Sequence, residues 1–414
     1  MISDGPLTVA APVVTTAGGN ISLVTNGIGN DLTIAGQITG GGVGTMVNLA
    51  SNEAELLVFA NVLNLAGSVS LIGAESTRID ATMDGVVSPL EVMANDIAVQ
   101  GGDLVVQAGG ETGDSASVIA ASSVDVDLAG SMRIVSQKGI AEILGGTIDA
   151  VVGGELEVDA NGAPARLLAA GNLIVSGGAD VTVGGGNRGG ATAVIEAGGR
   201  INMTGIRSLD VTGGSSNGSF AKLHSTGGDV DIGGGGTRDV VLDSGSGANG
   251  SNPNAKIHAD GSVNIITRDM TVLNRGGGAQ IISNSLSSIN IDVEKELVLS
   301  SGITGQCTGL ECLFLINVNA SQAARNAAIN INYGTLTICN GAEGCTPAQV
   351  NLFLDPPPVD AEPATLPEPV FPDDTVESPD SLENVVVALW DGADSLSDFD
   401  EEEDGEEGGA FQCN

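Results

Sequence analysis

The sequence predicts an all-β protein whose main body is a right-handed parallel β-helix, a solenoid with three short strands in each coil. Two observations lead to this prediction: a phrase that recurs along the chain, and short runs in which apolar and polar residues alternate. The composition agrees with both. Gly accounts for 62 of the 414 residues and aromatic residues for only 2%. The core must therefore consist of Val, Ile, Leu and Ala, which suit stacked strands because branched side chains pack well on a pleated surface.

The recurring phrase has the form Ala-x-apolar-x-small, often followed by a glycine-containing turn and then by apolar-x-apolar. Its leading residues are Ala116, Ala141, Ala165, Ala193, Ala221, Ala255 and Ala279, at spacings of 24 to 34 residues. A fixed frame with variable spacing is typical of a solenoid whose coils differ only in the length of their loops.

Each unit contains three alternating runs joined by turns rich in Gly, Ser and Asn. In one coil these runs are INM (201–203), LDV (209–211) and AKL (221–223). Alternation over three to five residues indicates a strand with one buried face. Taking about 4.8 Å as the rise per coil, some 11–13 coils would form a rod on the order of 55–60 Å long.

The coils AGGRINMTGIRSLDVTGG and ADGSVNIITRDMTVLNRGG resemble those of filamentous haemagglutinin-type large exoproteins of two-partner secretion. The resemblance covers about residues 15–350. It implies a secreted or surface-exposed bacterial adhesin that is exported by an outer-membrane two-partner secretion transporter and meets a ligand on a host or neighbouring cell. Family members usually begin with a signal peptide and an Asn-rich secretion domain. Neither feature is evident in this sequence, so the resemblance predicts the C-terminal β-helical part of such a protein, with a misplaced gene start as the alternative.

The sequence divides into four predicted segments. Residues 1–15 form an N-terminal lead-in, residues 16–300 the β-helix, residues 301–354 a Cys-containing cap, and residues 355–414 a Pro-rich acidic tail. The tail holds 19 of the 52 acidic residues and none of the basic ones. It cannot bury enough apolar surface to fold, so we expect it to be extended and disordered.

Four cysteines of the predicted cap fall into two local pairs, Cys307 with Cys312 and Cys339 with Cys345. We predict two short-loop disulfides, because spacings of four and five intervening residues are wider than in the usual zinc knuckles and short-loop disulfides suit an oxidising compartment. A cross-linked, irregular coil would also cover the open strand edges at the end of a solenoid. Free thiols and metal binding are the alternatives, and Cys413 would be unpaired or would link chains.

The charge of the chain argues against several classes of partner. The formal net charge is -38, and the 33 acidic residues outside the tail still exceed the 14 basic ones. Such a surface repels phosphate backbones and anionic membranes, so we expect no binding to nucleic acid. No apolar run approaches the roughly 18 residues that a membrane span requires.

We also expect no catalytic activity and no cofactor. The Asp pairs, Gly-His-Gly and Arg-x-Lys of polygalacturonase-like chains are absent from the body, and Phe59 and Phe220 are the only aromatic residues before residue 300. Sugar-binding sites usually use aromatic platforms. The predicted function is thus a non-catalytic stalk that displays or extends binding regions. A carbohydrate-active β-helix of lyase or hydrolase type and a passive extracellular matrix filament are the alternatives.

His224 and His258, the only two histidines, occupy the same position in consecutive coils. Alternation along each strand points both of them away from the core. We predict that the two rings stack roughly 5 Å apart, one coil spacing, with Glu196 at the same position of the preceding coil. A Glu-His-His ladder of this kind could hold a divalent cation.

Two lysines count against a cation at this ladder, because Lys222 and Lys256 lie two residues before the histidines. The further members of the ladder, Leu168 and Ile282, offer no ligand atom. The sequence therefore predicts no metal site, and it interprets His224 and His258 as a duplicated, solvent-exposed surface position.

Overall fold

The structure is a computed structural model. It describes residues 1–15, 18–82, 88–111, 113–216, 218–234, 236–245, 255–275, 278–284, 287–301, 314–317, 329–340 and 345–347. Cys307 and Cys312, most of the predicted cap and the whole of the acidic tail lie outside these residues.

Over the described residues the chain forms strands and turns and no helix. The strands are β1 (Ile2–Ser3), β2 (Leu7–Val9), β3 (Val13–Val14), β4 (Ile21–Thr25), β5 (Leu32–Ile34), β6 (Ile38–Thr39), β7 (Met46–Ser51), β8 (Glu55–Val58), β9 (Val62–Asp80), β10 (Leu90–Gln107), β11 (Ala116–Leu128), β12 (Met132–Ser136), β13 (Ala141–Val152), β14 (Glu155–Ala160), β15 (Ala165–Ala169), β16 (Leu173–Ser176), β17 (Asp180–Gly184), β18 (Thr192–Ala197), β19 (Ile201–Met203), β20 (Ser208–Thr212), β21 (Phe220–Ser225), β22 (Val230–Gly233), β23 (Asp239–Asp243), β24 (Ala255–Ala259), β25 (Val263–Asn274), β26 (Ala279–Ser283), β27 (Ile289–Ser301), β28 (Phe314–Asn317), β29 (Ile329–Asn340) and β30 (Cys345–Pro347).

The strands pair in parallel with strands one coil further along the chain, and the pairings stack into three faces. Face A begins with β1, β4 and β7, face B with β2, β5 and β8, and face C with β3 and β6. Longer strands turn a corner and belong to more than one face: β9 and β10 contribute to all three, and β11 and β13 to faces C and A. The predicted all-β parallel solenoid is confirmed, with about 10 turns. Its right-handedness stays a prediction.

The register on face C reproduces the frame of the repeat. The leading alanines from Ala116 to Ala279 pair with one another in unbroken succession. Two residues later a row of branched side chains points inward, including Ile143, Leu167 and Ile195, each fully buried. One apolar cluster extends through the interior from Ile21 to Leu336. Because equivalent side chains stack on one another, each coil buries an apolar face that it could not bury alone.

Parallel pairing occurs on both sides of the boundaries predicted for the rod. Before residue 16, β1, β2 and β3 pair with β4, β5 and β6. After residue 300, β28 pairs with β26, and β29 pairs with β27. The last described strand, β30, pairs antiparallel with β29, which sets Cys345 opposite Cys339. Cys339 is disulfide-bonded, and the two predicted cysteine pairings stay predictions.

The described residues contain no helix of the length and apolarity that a membrane crossing requires.

Candidate functional site

The fourth position of the repeat forms an outward-pointing row along face C. Its members, each in register with the next, are Met93, Ile119, Leu144, Leu168, Glu196, His224, His258 and Ile282. The predicted ladder of Leu168, Glu196, His224, His258 and Ile282 is confirmed. This row, which we call the outer ladder, begins apolar and becomes polar at Glu196.

The outer ladder is covered although it points away from the core. Ile119 is only 3% exposed and Leu144 only 4%, and with Leu168 they form an apolar cluster separate from the interior. The ladder lies beside the corner at which the chain passes from face C to face A. Ile119 directly precedes Ala120 in β11, and Leu144 directly precedes Gly145 in β13, where the pairing shifts register. We infer that this corner is concave on the outside, because a convex corner would expose such side chains. We call it the C–A corner.

The two histidines stack as the sequence predicts. His224 is in register with His258, and their ring centroids lie 4.4 Å apart with an angle of 10° between the ring planes. Their expected solvent exposure is wrong for His224, whose side chain is only 13% exposed, and His258 is also partly buried. Alternation correctly points the side chain outward, but the concave C–A corner shields it from solvent.

Glu196 is the most deeply buried polar member of the ladder, at 4% exposure. Its Oε2 accepts a hydrogen bond from Lys222 Nζ at 3.2 Å and lies 3.0 Å from His224 Nδ1. Burial raises the pKa of Glu196, but the hydrogen bond and charge of His224 together with Lys222 outweigh it, and the pKa falls below the usual 4.5. Glu196 is therefore a carboxylate. Its Oε1 is buried and has no hydrogen-bond partner among the described residues.

His258 is held in its neutral form. Burial is the main cause that lowers its pKa, from 6.5 to about 3, and the charges of His224, Lys256 and Lys222 lower it further. A neutral imidazole carries one nitrogen lone pair that can accept a proton or bind a metal. At neutral pH His258 therefore offers an acceptor nitrogen at the C–A corner.

Asp260 is a functional candidate that the sequence interpretation missed. It directly follows β24, in the turn that forms the C–A corner of its coil. One ligand atom each of His224, His258 and Asp260 lie within 4.8 Å of one another. The signal was present in the sequence, because His258 and Asp260 are two residues apart and alternation sends such residues to the same side of a strand. The donor set of two imidazoles and one carboxylate is typical of a site for a borderline divalent cation.

A second polar pair lies on face A. Asp125 and Asp149 are in register on adjacent coils, and both are exposed. The pKa of Asp149 is raised, first by partial burial and then by the charge of Asp125. Two neighbouring carboxylates, one of them with a raised pKa, are an arrangement that acid–base chemistry can use.

Comparison of the chain with protein-family models, with curated proteins and with solved structures gives no match. Function is therefore inferred from the solenoid and its side chains.

Proposed function

We propose that this chain is a non-catalytic β-helical stalk of a secreted or surface-exposed bacterial adhesin or exoprotein of the filamentous haemagglutinin type. The observation that supports the proposal most directly is the continuity of the solenoid. The same three faces stack from β1 to β29, around one apolar cluster that extends from Ile21 to Leu336. A solenoid of this kind holds whatever it carries at a fixed distance, because each coil is locked to its neighbours.

The charged side chains of the outer surface support a structural role. Arg200 pairs with Asp231, Arg207 with Asp180, Arg133 with Glu157 and Arg275 with Asp243. In each pair the partners are 24 to 32 residues apart, about one coil. These ion pairs tie coil to coil, so their charges are engaged within the stalk rather than presented to a substrate.

Export and binding belong to the same proposal. The chain would leave the cell through an outer-membrane transporter of the two-partner type, recognised through a region N-terminal to this sequence. Its ligand would lie on a host or neighbouring cell, and nucleic acid is not an expected partner. In an oxidising compartment Cys307–Cys312 and Cys339–Cys345 would form the two disulfides of a cap, followed by the acidic tail.

Deletion of one whole coil tests the stalk. Removing residues 141–164 joins Ile140 to Ala165, so that the alanine frame of face C continues unbroken. We expect a folded protein about 4.8 Å shorter, measured by small-angle scattering, and unchanged attachment of secreting cells to target cells. Loss of attachment by a folded deletion variant would overturn the passive role of this coil. Removing only residues 141–152 is the control, because it breaks the coil frame and should prevent folding.

A carbohydrate-active β-helix is the second candidate, and the Asp125–Asp149 pair favours it. The same deletion removes Asp149, so it bears on both proposals. An active enzyme would release reducing or unsaturated ends from a polysaccharide panel, and Asp149→Asn would abolish that release without unfolding the protein. The stalk proposal expects no release by the unaltered chain. Release that depends on Asp149 would contradict the stalk and support the carbohydrate-active β-helix.

A further inference from the structure

We propose that His224, His258 and Asp260 form a binding site for one borderline divalent cation, of which Zn²⁺ is the type, and that Glu196 positions His224 for it. The site goes beyond the role of a stalk and does not depend on it. It rests on a juxtaposition that the solenoid creates: two histidines from consecutive coils and an aspartate from the turn after the second one, with their ligand atoms all within 4.8 Å.

The donor set suits the ion. Two imidazole nitrogens and one carboxylate oxygen are a common three-residue ligand set for zinc in open sites, where water or another group takes the fourth position. Calcium and magnesium prefer oxygen donors, so the two histidines favour Zn²⁺, Ni²⁺ or Cu²⁺. Asp260 is exposed, which leaves a path by which an ion can enter from solvent.

Glu196 supplies the second observation. It is nearly fully buried and lies 3.0 Å from His224 Nδ1, a distance at which a carboxylate oxygen accepts a hydrogen bond from the ring N–H. The lone pair of His224 is thereby placed on Nε2, the nitrogen that remains for a metal. Histidines that bind metals almost always donate their other ring N–H in this way, often to a carboxylate, and the contact fixes both tautomer and ring orientation.

The charge around the site also differs from what the bare sequence indicates. Lys222 donates to the same Oε2 of Glu196, so its charge is engaged by that carboxylate. Glu196 Oε1 is buried without a hydrogen-bond partner in the described part of the chain. A cation held by the neighbouring His224 would be attracted to this carboxylate.

Binding requires a small rearrangement of the rings. In the present geometry they are nearly parallel, with centroids 4.4 Å apart. Zinc–nitrogen bonds are about 2.0–2.1 Å long, which brings two nitrogens of a tetrahedral site to about 3.3 Å from each other. The two rings must therefore tilt toward a common point, and the stacking of His224 on His258 must loosen when the ion binds.

Zinc titration of the full chain, without a histidine tag and with free thiols blocked by iodoacetamide, tests the proposal. We expect one Zn²⁺ per chain by calorimetry and a zinc-dependent rise in the melting temperature, because the ion binds only the native state. His224→Gln and His258→Gln should abolish both responses, and Asp260→Asn should weaken binding at least tenfold. Asp127→Asn, an exposed control outside the site, should bind as the unaltered chain does.

The Glu196→Gln variant tests whether Glu196 positions His224 for the metal or only stabilises the fold. We expect zinc affinity to fall about 10- to 100-fold, as for other second-layer partners of metal-bound histidine. Nitrogen NMR of the metal-free chain should show His224 protonated at Nδ1, and in the Gln variant a mixture of tautomers. Zinc uptake that persists in His258→Gln, or no uptake by the unaltered chain at millimolar Zn²⁺, would overturn the proposal. Unchanged affinity in Glu196→Gln would remove Glu196 from it.

Discussion

At the scale of single residues, glycine decides how closely consecutive coils can approach. Gly101 stands in β10 with φ of +133°, a conformation that other residues rarely adopt. A Cβ built there would lie 2.0 Å from the carbonyl oxygen of Gly73, its partner in the preceding coil. Neither the backbone conformation nor the space admits a side chain. This glycine is therefore required by the stacking itself, whereas many others only serve turns.

Gly101→Ala should consequently lower the free energy of unfolding well beyond the roughly 1–2 kcal/mol that a left-handed conformation costs alone. The backbone of Gly73 must move, and the pairing of two coils moves with it. The matched control is Gly178→Ala, where φ is +82° and nothing lies within 4 Å of the new Cβ. Chemical denaturation measures both. Equal losses of unfolding free energy in the two variants would show that the close contact with Gly73 does not contribute to the cost of the substitution.

At the scale of elements, asparagine side chains link the strands of face A from coil to coil. Asn264 Nδ2 donates to Asp231 Oδ1 at 2.8 Å, Asn290 Nδ2 to Asn264 Oδ1 at 2.7 Å, and Asn330 Nδ2 to Asn290 Oδ1 at 2.8 Å. Asn264 and Asn290 each donate to one coil and accept from the next, so the row forms a continuous ladder. The amide is suited to this role because it carries both a donor and an acceptor.

Asn290→Asp should therefore destabilise the solenoid by about 1–3 kcal/mol, although the side chains have nearly the same shape. The carboxylate keeps the acceptor for Asn330 but has no donor for Asn264, so two oxygens face each other. Asn48→Asp is the control, because that half-buried side chain makes only a 3.4 Å contact with Ser22 Oγ. Thermal melts would show the difference, and an equal effect of both changes would contradict the ladder.

At the scale of the whole molecule, the core is long and narrow. We therefore expect each coil to be stabilised mainly by its immediate neighbours, so that the solenoid does not unfold as one cooperative unit. Leu167 lies fully buried on face C in mid-solenoid, and Leu336 lies buried on face B in β29, near the last described coil. Each contacts the coils next to it and none further away. The two positions therefore distinguish local from global cooperativity.

Leu167→Ala should cost about 2–5 kcal/mol, the range for truncating a buried leucine. Hydrogen exchange followed by mass spectrometry should show faster exchange on both sides of the change, in β13 and β18. Leu336→Ala should accelerate exchange only in the strands around β29. A uniform acceleration along the chain in both variants would show instead that the solenoid opens as one unit.

The sequence alone determined the period of this protein. Recurring alanines and alternating runs are local properties, and they correctly predicted parallel coils, the alanine-to-alanine register of face C and the stacking of His224 on His258. The same reasoning failed where the path of the chain between faces matters. Alternation states on which side of a strand Glu196 points, but not that it is buried there, with an exposure of only 4%.

Only the tertiary structure decided burial and charge at that corner. There His224 and Glu196 are largely buried, Lys222 donates to the carboxylate, and Asp260 brings a ligand atom within 4.8 Å of those of the histidines. Lys222, one of the two lysines that argue against a cation in the sequence, is thereby paired with Glu196. The physical reason is that a period of two specifies the direction of a side chain relative to its own strand, whereas its solvent exposure depends on the angle between strands that are joined by a turn.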